Sequence, residues 1–190
     1  MQQEIVTIVS GLPRSGTSMM MKILETGGME VLTDNLRTAD EDNPKGYYEF
    51  ERVKQLKEDI VWLDDAKGKV VKIISALLKD LPSNYTYKVI FMLRKMEEIL
   101  ASQKKMLIRR GEPTDNTSDE KMTEVFTNHL KQIETWIDQQ KNINVLYIKY
   151  HEVLENPNEN IRKVNEFLGN ILDEEKMKSA VDQNLYRNRR

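Results

Sequence analysis

An apolar run from Ile5 to Val9 leads without interruption into Ser10-Gly11-Leu12-Pro13-Arg14-Ser15-Gly16-Thr17-Ser18, and the helix-forming Met19 to Leu24 follows at once. Few folds accommodate a strand, a glycine-punctuated turn and a helix in that order. Gly11 and Gly16 allow the backbone to turn tightly enough for several N–H groups to converge, and the helix that follows presents its positive end to the same point. An anion belongs there. The rest of the chain supports the same architecture. Val70 to Ile74, Val89 to Leu93 and Val145 to Lys149 are further short β-rich runs, each read as a buried strand.

Helical spacing lies between the strands. Phe50, Val53, Leu56, Ile60 and Leu63 gather one apolar face, as do Met96, Ile99, Leu100 and Leu107. The longest such pattern runs Met122, Val125, Phe126, Leu130, Ile133, Ile137, with Ser118 or Asp119 as its cap. Ile161, Val164, Phe167 and Leu168 form another, stopped by Gly169, and a weaker one surrounds Met177 and Val181. Strands alternating with helices predict an α/β fold, a three-layer sandwich around a parallel sheet of about four to five strands. A length of 190 residues, with no linker or repeat, fits one domain over 1–190. Thr33 to Tyr48 and Arg110 to Ser118 read as loops, the second as a surface loop or a substrate lid.

The turn has the spacing of the P-loop, with Thr17 where that motif has its lysine. Magnesium-dependent nucleotide hydrolysis needs that lysine and a carboxylate closing a neighbouring strand. Here Arg14 is the loop's cation and the Val89 strand runs into Arg94. Two cations without a magnesium carboxylate suit a metal-free anionic ligand better than Mg-ATP, so no metal site is expected. The 29 Lys and Arg against 31 Asp and Glu, a net charge of -2, give no basis for nucleic-acid binding. Zero Cys excludes a disulfide scaffold, a thiolate metal site and a Cys nucleophile. No basic segment precedes the first apolar run, and no stretch has the roughly 18 apolar residues of a membrane span. A cytoplasmic location is the simplest expectation.

Four separated segments resemble the sulfotransferases that use 3'-phosphoadenosine 5'-phosphosulfate (PAPS). Pro13 to Ser18 is similar to the family's 5'-phosphosulfate loop in its Arg-containing form. Val89 to Arg94, running on to Ser102, resembles the 3'-phosphate motif, in which an Arg closes a strand and a Ser follows eight residues later. Val145 to Tyr150, continuing to Gly169, resembles the strand, tyrosine and closing helix. Val71-Lys72-Ile73-Ile74 is similar to the strand that carries a catalytic Lys and His. The resemblance implies donor binding by Arg14, Ser15, Gly16, Thr17, Ser18, Arg94, Ser102 and Tyr150, with Arg187 of the basic tail as a further ligand of the 3'-phosphate. It also implies transfer of a sulfuryl group to a hydroxyl or amine of a small molecule or glycan.

Sulfuryl transfer needs an in-line nucleophile, charge stabilisation on the leaving group and a base for the acceptor's proton. Arg14 and Lys72 are the candidates for charge stabilisation. Ile74 stands where the resemblance would put the His, and it cannot accept a proton. Glu49 is the replacement base, a carboxylate at the start of a helix that Tyr47, Tyr48 and Phe50 would desolvate. His129 and His151 lack partners at metal-ligand spacing and read as surface or packing residues. Asp40-Glu41-Asp42 reads as a solvated loop, or as a site for a cation or basic acceptor. Ten Met residues are expected to pack the core. Two alternatives stay open: a PAPS-binding or bisphosphate-binding protein without transfer activity, and a nucleotide kinase or NTPase with a degenerate P-loop.

Overall fold

The computed structural model describes residues 4–34, 48–114 and 117–181. Four strands, β1 (Ile5–Gly11), β2 (Val70–Lys72), β3 (Thr86–Leu93) and β4 (Ile143–Lys149), form one parallel sheet in the order β2-β1-β3-β4. Helices α1 (Thr17–Thr26), α2 (Trp62–Asp65), α3 (Met96–Arg110), α4 (Asp119–Ile137), α5 (Tyr150–Glu155), α6 (Pro157–Leu168) and α7 (Glu174–Ser179) complete the α/β fold.

Period-two alternation splits each strand between two cores. Val9, Ile90, Met92 and Ile148 pack with α1, α5, α6 and α7, whereas Val6, Ile8, Val89 and Phe91 pack with Trp62, Leu63, Ile133 and Ile137 on the opposite face. A sheet covered on both sides explains why its strands read as unbroken apolar runs. Met19, Met20 and Met21 are buried together with Met29, Met92 and Met177, in keeping with a packing role. No described helix is long and apolar enough to cross a membrane.

The helix expected over Phe50 to Leu63 is instead a 3₁₀ segment, Glu51–Gln55, and the short α2. Asp59 breaks it. Its Oδ1 accepts from the Val61 N–H at 3.2 Å, its carboxylate holds Arg52, and its carbonyl accepts from Trp62 Nε1 at 3.1 Å. An Asp that caps locally competes with the helix ladder, and β-branched Ile60 and Val61 do nothing to oppose it. The apolar side chains reach one core regardless. Helix α5 lies where no helix is expected: it directly follows β4, and Pro157 then opens α6 at its first turn. Ser118 caps α4, accepting from the Lys121 N–H at 3.3 Å, and Gly169 ends α6 in the left-handed region as expected.

Strand order fixes where a ligand goes. β1 lies between β2 and β3, so the chain leaves β1 in one direction for β2 and then returns past it to β3. Ligands collect outside the carboxyl ends of the strands at such a reversal. The turn after β1 and Arg94 after β3 both lie there.

Candidate functional site

The turn Leu12 to Gly16 folds back on itself through a hydrogen bond from the Ser15 N–H to the Leu12 carbonyl at 3.1 Å. Arg14 at its apex adopts φ 71°, and Gly16 adopts φ 101° as the residue preceding α1. A left-handed Arg carries a cost of order 1–3 kcal/mol, so its surroundings must hold it. Space is also restricted. A Cβ on Gly11 would sit 2.5 Å from Ser15 Oγ and 2.7 Å from the Met92 carbonyl, and one on Gly16 would enter the Tyr150 ring. Both glycines are therefore required by close approach as well as by torsion.

Three side chains close on the turn from other elements. Arg94 donates from a terminal guanidinium nitrogen to the Arg14 carbonyl at 3.0 Å and from Nε to Glu98 at 2.9 Å. Its guanidinium lies 4.2 Å from the Tyr150 ring centroid. Arg14 donates from Nε to Ser102 Oγ at 3.0 Å, across 88 residues of chain. Ser102, two turns into α3, is 6% exposed and faces the site, not solvent. Ser15 Oγ and Ser10 Oγ are buried with no hydrogen-bond partner among the described residues. A buried, unmatched hydroxyl beside a helix start, where the first N–H groups have no intrahelical acceptor, is the chemistry of an anion cradle.

Glu49 and Lys72 meet at the end of β2. Glu49 Oε1 lies 3.9 Å from Lys72 Nζ, the lysine side chain 10% and the glutamate 30% exposed. Glu49 precedes the 3₁₀ segment and does not begin a helix. Its carbonyl is fixed by Thr33 Oγ1 at 2.8 Å. The expected aromatic shield is turned elsewhere: Tyr48 donates to Glu25 at 2.7 Å, and Phe50 packs edge-on against Trp62 with centroids 5.3 Å apart. Burial, followed by the Glu25 carboxylate, pushes the Tyr48 phenol up. Ile74, 38% exposed, follows β2, and the next residue, Ser75, bonds to His129 Nε2 at 2.9 Å. Tyr47, Asp40-Glu41-Asp42 and Arg187 lie outside the described residues.

The sulfotransferase domain family matches residues 5–190. The chain belongs to that family. Among solved structures, mouse sulfotransferase SULT7A1 complexed with PAP aligns at TM-score 0.61 and 17% identity, covering 100% of this chain and 69% of that one. Sulfotransferase STF1 from Mycobacterium tuberculosis H37Rv aligns at 0.61 and 16%, covering 94% and 70%. The sulfotransferase domain from the curacin biosynthetic pathway aligns at 0.55 and 13%, covering 96% and 79%. These likenesses establish the shared fold. No curated protein matches the sequence.

The sulfotransferase family draws its sulfuryl group from PAPS, and the cradle fits such a donor: it offers the unmatched Ser15 hydroxyl, two guanidinium groups and the start of α1. Among the described residues, no group of His, Asp and Glu has the arrangement of a metal site. Sequence reasoning missed Glu98, 2% exposed on α3. Its signal was available, since an Arg and a Glu four residues apart are neighbours wherever a helix follows.

Proposed function

We propose that this sulfotransferase moves a sulfuryl group from PAPS to a hydroxyl or amine of a small-molecule or glycan acceptor, with the following division of labour. Ser15, Gly16, Thr17 and Ser18 present N–H groups and hydroxyls to the 5'-phosphosulfate, and Arg14 supplies its counter-charge. Arg94 and Ser102 take the 3'-phosphate, Tyr150 walls the turn, and Arg187 is a further ligand of the 3'-phosphate. Glu49 accepts the acceptor's proton as its oxygen or nitrogen attacks sulfur. The sulfur–oxygen bond to the 5'-phosphate breaks, and Lys72 and Arg14 stabilise the charge arriving on the departing bisphosphate.

The observation that carries this reading is the Arg14–Ser102 hydrogen bond, which joins the turn after β1 to the helix after β3 at the sheet's reversal. One ligand bearing phosphates at both ends is what such a junction suits. Calorimetric titration with adenosine 3',5'-bisphosphate (PAP) and separately with Mg-ATP tests it. We expect metal-independent binding of PAP at about micromolar Kd and weaker binding of ATP. Equal affinity for the two would overturn the reading.

A further inference from the structure

Glu98 is a buried carboxylate, 2% exposed, within reach of the place where an anionic ligand is expected, and the mechanism above gives it no part. A negative charge there opposes a phosphate unless it does something else. Its geometry shows what that is. Glu98 accepts from Arg94 Nε at 2.9 Å, with the arginine side chain only 8% exposed. The Tyr150 ring lies against the same guanidinium, whose central carbon is 4.2 Å from the ring centroid. Held by the Glu98 carboxylate on one side and packed against the ring, the planar fork delivers an N–H to the Arg14 carbonyl at 3.0 Å. The Arg14 carbonyl belongs to the peptide that links the left-handed Arg14 to Ser15, whose N–H points the opposite way to close the turn on Leu12.

We infer that Glu98 is a positioning residue for the phosphate turn: it acts through Arg94 to hold the Arg14–Ser15 peptide in the orientation that aims the following N–H groups at the 5'-phosphosulfate. Arg94 is then a brace for the 5' side as well as a cation for the 3' side. Ser102, one turn beyond Glu98 on α3, fastens the Arg14 side chain, so a single helix holds both the backbone and the side chain of that residue. The inference rests on the proposed donor site, and its test separates the two.

The probes are PAP, which carries both phosphates, and adenosine 5'-phosphosulfate, which lacks the 3'-phosphate. If Glu98 were only a charge near Arg94, Glu98→Ala would leave Arg94 less neutralised and tighten PAP while sparing the other ligand. As a brace, Glu98→Ala weakens both by a similar factor, about tenfold for the loss of a charged hydrogen bond. Glu98→Gln keeps an acceptor for Arg94 Nε and should recover most of that loss. Should Glu98→Ala fail to fold, Arg94→Lys serves: it retains the charge but loses the fork, and the brace requires that it weaken adenosine 5'-phosphosulfate. Tighter PAP binding in Glu98→Ala, or loss confined to the ligand with a 3'-phosphate in either variant, overturns the inference. A wild-type protein that binds neither probe overturns the donor site itself.

Discussion

Arg14 sits where an L-residue rarely rests, with φ 71°, and the adjoining Gly16 reaches φ 101° with Tyr150 packed where a side chain would begin. Gly28 offers an internal control, since it shares a positive φ of 106° but has open space around it. We expect Gly28→Ala to cost about 1–2 kcal/mol, the penalty of the left-handed backbone alone. Gly16→Ala should cost clearly more in a urea titration and also weaken PAP, because the Tyr150 ring must move. Equal costs at the two positions would remove Tyr150 as a wall of the turn. Glu49 permits a kinetic test. Glu49→Gln keeps the shape and removes the proton acceptor, so turnover should fall by about 10²–10⁴-fold with PAP affinity within twofold of wild type. An unchanged rate would assign the proton to another group.

Helix α4 is joined to the segment after β2 by the His129–Ser75 hydrogen bond. Burial, and then the nearby Lys79 charge, hold the His129 imidazole below its ordinary value of 6.5. The unfolded chain therefore binds this proton more readily than the folded one. The contribution to stability is complete above pH 6.5 and is lost as pH falls below that value towards the folded pKa. We expect the urea midpoint to drop between pH 7 and pH 5, and His129→Gln to flatten that slope; a variant with the wild-type slope would refute the role. The sequence could not show this contact. The strands, the phosphate turn and α4 were legible because strand runs, glycine spacing and caps are local signals. The Arg14–Ser102 and Lys72–Glu49 contacts join distant segments: Arg14 and Glu49 were readable from their own surroundings in the sequence, whereas Ser102 and Lys72 were readable only through the family likeness. His129 was read as a surface or packing residue because nothing near it in sequence points to Ser75. The break at Asp59 was harder still: apolar spacing records which side chains are buried, and two short turns can bury the same ones as a helix.

For the molecule as a whole, a ligand that binds only the folded state stabilises it by mass action. PAP at a hundred times its Kd should add about 2.7 kcal/mol, which for a chain of this size raises Tm by about 5–10 °C. Mg-ATP at the same concentration should do less, and a larger shift with ATP would count against the assigned donor. β1 and β3 are locked in register from Ile5 opposite Thr86 to Gly11 opposite Met92. The turn that begins after Gly11 and the arginine that follows β3 are thus anchored to neighbouring strands about 4.8 Å apart. Loop motion cannot alter that interval, so in the proposed donor site the sheet would act as a calliper: a nucleotide would be gauged by how far apart its charged ends lie, and one with the same total charge strung along a single chain of phosphates would meet only one jaw.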